Sequence, residues 1–236
     1  MALPKLNDTI KFDITIPSTK ETKKFRPYLV KEEKILMVAF ESKDPKQGLS
    51  AITDTIQACC DEEIDVKKLA MFDVEYLFMQ LRMKSVGETS DIHLKCKKCE
   101  NVQKFTINLE DIKCEVPDER NIINLTNDVS IEMIYPSYTM ISESNTIEKG
   151  TLNANEALAL MAKSIKAVHA KDERIDMENE SAEEIDEFVN SLTSGQLSSI
   201  MKFFEDMPAI KHDISYNCEK CEEENGIVLR GIADFF

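Results

Sequence analysis

Two Cys-x-x-Cys pairs stand far apart in this chain, 96-CKKC-99 and 218-CEKC-221. Either pair alone is half a tetrahedral metal site or one redox couple. Their surroundings share a grammar: 91-DIHLKCKKCENVQKFTINL-109 and 213-DISYNCEKCEEENGIVLRGI-232 each read as strand, turn and strand. Hairpin knuckles of this kind build zinc ribbons, because Zn²⁺ takes four thiolate or imidazole ligands in a tetrahedron and each turn presents two sulfurs on one side of it. Redox dithiols more often open a helix, whose N-terminal field lowers the thiol pKa; here strands flank both pairs. The reading is one structural Zn²⁺ per chain, held by Cys96, Cys99, Cys218 and Cys221. Four protein ligands leave no position for water or substrate, so chemistry at the metal is not expected. In zinc-finger peptides such a metal contributes folding free energy on the order of 10 kcal/mol. The pairs lie much further apart than the roughly 15–20 residues of compact ribbons, which an insertion between the two halves explains.

The elements around the pairs follow from periodicity. In 10-IKFDITI-16, Ile10, Phe12, Ile14 and Ile16 alternate as on a half-buried strand, and KKFRPYLV returns as an edge partner limited by Pro27. VKEEKILMVAFES reads as a first helix. A second starts at 44-DPKQ-47, with Asp44 as N-cap, Pro45 at the first helical position and Gln47 completing a capping box; Leu49, Ile52, Ile56 and Cys59 form its stripe. Residues 71–87 carry two apolar stripes, one of Met71, Val74, Phe78 and Leu81 and one of Phe72, Tyr76, Met79 and Met83, a width that needs cover on more than one side. Phe72, Tyr76, Met79 and Met83, with the terminal Phe235 and Phe236, are the candidate partner-docking residues. The two strands around CKKC alternate through Ile92 and Leu94, then less regularly through Val102, Phe105 and Ile107, and VSIEMIYP at 129–136 adds another strand. Residues 137–208 read as helical, with a stripe of Leu158, Met161, Ile165 and Val168 and capping boxes at Ser181–Glu184 and Thr193–Gln196.

The fold class expected is α+β: a discontinuous, zinc-ribbon-like antiparallel β module with N-terminal and inserted helical segments. Residues 1–87 form a β-hairpin plus helices, 88–136 together with 209–236 form the β module, and 137–208 form the helical insertion.

Composition narrows the function. The 236 residues are 42% hydrophobic and 31% charged, with a net charge of −15, a balance that opposes nucleic acid or an anionic membrane as principal partner. No apolar run reaches membrane-spanning length, and the first residues lack a secretory pattern, so a reducing cytoplasm and unbridged cysteines are expected. Cys59 and Cys60 read as ordinary thiols and Cys114 has no evident partner. The six glycines form no phosphate loop, and His93, His169 and His212 have no nucleophile pattern around them; an enzyme is not expected. One alternative keeps a basis in the residues: Lys95, Lys97, Lys98 and Lys104 cluster at the first knuckle, as in a zinc-ribbon nucleic-acid-binding or transcription-type regulatory protein.

The long blocks 29-LVKEEKILMVAFESKDPKQ-47 and 69-LAMFDVEYLFMQLRMKSVGETSDIHLKC-96 resemble the small baseplate hub or hub-assembly proteins of T-even-type contractile-tailed bacteriophages, as do MALPKLN, FRPYLVKEEK and the terminal GIADFF. The resemblance runs through the chain in order and is weakest at 137–208. It implies a non-enzymatic role in building the central hub of the tail baseplate in the infected cytoplasm, through contacts with other hub or tail-assembly proteins and with self-association left open.

Overall fold

The structure, a computed structural model, describes residues 10–117, 121–143, 154–171 and 173–235. Phe236, the opening MALPKLN and residues 144–153 of the expected helical stretch lie outside them. The chain divides into two compact units. One contains residues up to 66, 72–116 and 208 onward; the other contains 67–71 and 117–207.

In the first unit, β1 (Phe12–Thr15) and β2 (Thr22–Phe25) make an antiparallel hairpin, followed by α1 (Val30–Glu41), α2 (Pro45–Cys59) and α3 (Met71–Ser85). Asp44 is the N-cap of α2 as expected, its Oδ1 accepting from the backbone N–H of Lys46 at 2.9 Å, but Gln47 does not complete a capping box: its Nε2 donates to Asp44 Oδ2 at 2.9 Å and the Asp44 N–H goes to Ser42 Oγ at 3.2 Å. Ile10 is exposed and outside β1, while Ile14 and Ile16 are buried. The start of α1 depends on Glu32, which takes the backbone N–H of Leu29 (2.8 Å) and the Arg26 guanidinium (2.8 Å), with Lys31 at 3.2 Å. Arg26 also donates to the Ala58 carbonyl at the end of α2, so one buried ion pair ties the β2 exit to both helices.

Two seven-residue hairpins complete the unit: β3 (Thr89–Lys95) with β4 (Val102–Asn108), and β9 (Lys211–Asn217) with β10 (Glu224–Arg230). Isolated hairpins are marginal in water. These two share an apolar core with α3, in which Met79 and Met83 meet Ile92, Leu94, Ile107, Leu109, Ile214, Tyr216, Leu229 and Phe235. The sequence expectation that Phe72, Tyr76, Met79, Met83 and Phe235 dock a partner is therefore corrected. Phe72, Met79, Met83 and Phe235 are buried within the chain and Tyr76 is half-buried against this core. Phe235 is also held by its carbonyl, which accepts from the buried Ser90 hydroxyl at 2.6 Å. The turn before it needs Gly231, at φ +68°, where a Cβ would stand 3.1 Å from Glu75 Oε1.

The second unit is a four-stranded antiparallel sheet in the order β5 (Ile122–Asn124), β6 (Val129–Met133), β7 (Ile165–Ala170) and β8 (Glu173–Asp176), with helices α4 (Tyr138–Glu143), α5 (Ala154–Lys163), α6 (Ala182–Asn190) and α7 (Ser194–Glu205). Its core centres on Ile131, Met133, Met161, Ile165, Val168 and Ile200, with Phe188, Leu197 and Phe204 against them. The capping boxes at Ser181 and Thr193 form.

Two expectations change here. The stripe through Ile165 and Val168 does not continue as helix: α5 ends at Lys163, and Ile165–Ala170 is the strand between β6 and β8. The reason lies on its other side, where Lys166 and Arg174 both pair with Glu132 across the strands, at 2.9 and 2.5 Å. Residues 129–136 were expected with the cysteine hairpins; β6 pairs instead with β5 and β7, so the inserted unit is mixed rather than all helical.

Burial raises the Glu32 pKa, but the hydrogen bonds from Arg26, Leu29 and Lys31 outweigh it and hold the carboxyl at about 2. A depressed carboxyl contributes stability above its unfolded pKa, near 4.3, and loses it as pH falls through the folded value. Glu32→Gln should cost on the order of 2 kcal/mol at pH 7, because it leaves Arg26 without its charge partner. In urea unfolding, the gap between wild type and variant should close between about pH 4.5 and pH 2. A gap that persists at pH 2 would remove the ion pair from the account.

Candidate metal centre

Each Cys-x-x-Cys turn is built by the same three backbone features. The N–H of the first cysteine closes the hairpin, Cys96 onto the Asn101 carbonyl and Cys218 onto that of Glu223, both at 2.9 Å. The residue after the second cysteine returns to the first, Glu100 N–H to the Cys96 carbonyl at 3.1 Å and Glu222 N–H to that of Cys218 at 2.8 Å. Both Glu100 and Glu222 sit at φ +58°, a left-handed conformation that costs a non-glycine residue about 1 kcal/mol. That conformation turns both sulfurs of each pair to one side.

The two turns face each other. All four sulfurs lie within 4.8 Å of one another, with Cys96 Sγ 3.7 Å from Cys221 Sγ and Cys99 Sγ 3.5 Å from Cys218 Sγ. A disulfide would bring sulfurs to about 2.05 Å; the cysteines are free thiols. Four thiolates at the roughly 2.3 Å Zn–S distance stand about 3.8 Å apart on a tetrahedron. The Cys96–Cys221 and Cys99–Cys218 pairs lie close to that spacing, and the four thiols together could hold a metal ion. Cys96 and Cys218 are buried and Cys99 and Cys221 partly so.

Electrostatics within the cage are uneven. Backbone N–H groups of Cys99 and Lys98, joined by the Asn225 amide, hold the Cys96 thiol down to about 6. Burial opposes ionisation of Cys218, but the N–H groups of Lys220 and Cys221 prevail and lower it. At Cys221 the Glu223 N–H favours the thiolate, yet the other three sulfurs and burial outweigh it and push this thiol up to about 12. Sulfurs this close disfavour ionisation of all four thiols together, a repulsion that a bound cation would relieve. The remaining cysteines are placed differently: burial raises Cys59 to about 11, raises Cys60, and together with Asp73 and Glu75 raises Cys114 to about 12. His93 and His212 lie on β3 and β9, outside the cluster of four cysteines.

Two residues that the hydrophobic pattern does not single out complete the site. Gln103 on β4 and Asn225 on β10 are buried amides, each seven positions after the first cysteine of its own hairpin. Each reaches across to the opposite turn: Asn225 Oδ1 accepts from the Lys97 N–H at 3.0 Å, and Gln103 Oε1 accepts from the Glu219 N–H at 3.0 Å. Val102, counted in the irregular alternation of this strand, is exposed, and Gln103 shares the inner face with Phe105 and Ile107. The shared offset from Cys96 and Cys218 was the available signal. The pair is not symmetric, because Asn225 Nδ2 also reaches Cys96 Sγ, at 3.6 Å, whereas Gln103 Nε2 goes to the Asn217 carbonyl.

The lysines around the first turn are engaged within the chain. Lys97 Nζ donates to the Gly226 carbonyl at 2.7 Å, Lys98 pairs with Glu223 at 2.6 Å, Lys95 with Glu100 at 3.2 Å, and Lys104 with Asp91 at 2.7 Å.

The family described as T4 bacteriophage base plate protein matches residues 8–236, through the N-terminal helices, both cysteine hairpins and the inserted sheet. The chain belongs to this family. No curated protein and no solved structure matches it significantly. Membership makes this base plate protein a structural phage protein that works through contacts with other phage proteins, not an enzyme. Among its described residues no helix is long and apolar enough to cross a membrane.

If Asn225 orients Cys96, Asn225→Ala should weaken Zn²⁺ binding by about 10–100-fold, the usual cost of losing a group that orients a metal ligand. Chelator competition reads this directly. Gln103→Ala, which removes no contact to sulfur, should weaken it less. Equal losses, or none, would dissolve the distinction between the two amides.

Proposed function

We propose that this base plate protein acts without catalysis in assembly of the baseplate central hub, through protein–protein contacts, with one structural Zn²⁺ on Cys96, Cys99, Cys218 and Cys221 stabilising its zinc-ribbon-like hairpin pair. The observation that carries the metal reading is the convergence of four sulfurs from two distant turns to within 4.8 Å of one another. The hub reading is supported by the family match over nearly the whole chain. It is also supported by the resemblance of 29–47 and 69–96 to hub proteins.

Bound there, the cation would neutralise the clustered thiolates and cross-link the two hairpins. The residues of the chain do the rest. The backbone N–H groups of Lys98, Cys99, Lys220 and Cys221 support charge on the sulfurs, and Gln103 and Asn225 hold the facing turns in register. With all four positions taken by protein, the site is closed to substrate.

The nucleic-acid reading loses its main support, because each lysine of the first knuckle is occupied by a nearby carboxylate or carbonyl on a chain of net charge −15. Partners are taken to be other proteins of the baseplate hub in the infected cytoplasm.

Elemental analysis of the purified protein should find about one zinc per chain, lost alike in Cys96→Ser and Cys218→Ser. Retention after either change would refute the shared site. In infected cells, tagged wild-type protein should co-purify with hub components, and the two serine variants should do so poorly. Salt-dependent DNA or RNA binding that vanishes when Lys95, Lys97, Lys98 and Lys104 become alanine would instead favour the regulatory reading.

A further inference from the structure

Helix α1 carries apolar residues around most of its circumference. Leu36 and Ala39 are buried, yet Val30, Ile35, Met37, Val38 and Phe40, with Leu29 just before the helix, are 39–68% exposed. A helix apolar on all sides is normally a covered one, but α1 packs chiefly on α2. These side chains do not share one side of the helix: Ile35 and Val38 face a groove along α2 with Lys34, while Met37 and Phe40 line a separate recess with Phe78 and Arg82.

The groove between α1 and α2 measures about 490 Å³, walled by Ile35 and Val38 on one side and floored by the small residues Ala39, Ser50 and Ala51. The patch thus contains both protruding apolar side chains and a shallow recess of matching scale. An isologous two-fold contact requires both on the same surface, since each copy offers its projections to the other's recess. The same groove carries Lys34 and Asp54, opposite charges that a two-fold axis can set against each other. Charge permits the contact as well. Lys31, Lys34, Lys43 and Lys46 balance Glu32, Glu33, Glu41 and Asp44 through residues 30–47, while the chain as a whole carries −15. This segment can meet its own copy without the net repulsion of the whole chain.

We infer that the α1–α2 face is a self-association surface that seats a second copy of this chain, with Ile35 and Val38 of each entering the other's groove to form a four-helix contact. The inference goes beyond the hub reading and does not depend on the metal.

Analytical ultracentrifugation of the full chain over about 1–200 μM tests it. A species of twice the 26.9 kDa chain mass should appear with rising concentration. Ile35→Glu and Val38→Glu, at exposed positions, should yield monomer with unchanged circular dichroism and unchanged zinc content. Lys34→Asp should weaken the dimer at least tenfold, and adding Asp54→Lys should recover most of the loss. A monomer throughout the range overturns the inference. So does a dimer indifferent to Val38→Glu, or a monomer whose Val38→Glu variant loses only its hold on other baseplate proteins, which would assign the face to a different occupant. Loss of zinc with the dimer intact would count against the metal reading alone.

Discussion

Four sulfurs from two hairpins must meet in one cage, and most of the first unit is arranged around that requirement. Neither hairpin has a second sheet layer of its own. Each is a two-stranded ribbon whose inner face needs cover and whose turn carries two thiols that repel when ionised. The core with α3 supplies the cover, through Met79 and Met83 against Ile92, Ile107, Ile214 and Leu229. The cage adds a fixed distance at the far end, where ribbons ordinarily fray. The chain closes the arrangement at the other end too, since Lys113 and Lys211 form an antiparallel bridge just where the polypeptide departs for the second unit and returns from it. An insertion with its ends brought together this way costs the ribbon pair little, because loop-closure entropy grows only slowly with loop length.

A cage of thiols is also a place where buried polar groups must be satisfied, and the two amides show how. Gln103 and Asn225 stand at inward positions where apolar side chains would bury more surface. Each gives its carbonyl to a backbone N–H of the opposite turn, that of Lys97 or of Glu219. The shorter Asn225 keeps its amide close enough to reach Cys96 Sγ, while the longer Gln103 passes the sulfurs and ends on the Asn217 carbonyl. One methylene of difference thus separates a residue that touches a ligand from one that aligns only the turn.

The cysteine turns were legible in the sequence because their geometry is local: spacing, turn residues and flanking alternation sit within about twenty residues of each other. The capping boxes at Ser181 and Thr193 and the N-cap at Asp44 were legible for the same reason. Gln103 was not, since a polar residue on an inner face breaks the hydrophobic pattern and only the facing hairpin explains it. Ile165 and Val168 misled because a spacing of three fits a helical stripe, while a strand flanked by Glu132 and Arg174 can bury both residues as well. Ion pairs between distant strands leave no local mark.

The two apolar helices α1 and α3 show the same limit from the other side. Both carry more apolar surface than one packing face can use, and nothing within either sequence tells which will be covered. The difference comes from the element that each helix leads into. Helix α3 runs directly into β3 and shares its core with both hairpins, so the wide methionine-rich surface becomes interior. Helix α1 leads through a short turn into α2, whose own stripe of Ile52, Ile56 and Cys59 is buried, leaving the outer side of α1 uncovered. Apolar surface drives association wherever the chain's own elements do not reach it. In this fold the reach of the two hairpins decides which helix becomes core and which keeps an exposed apolar side.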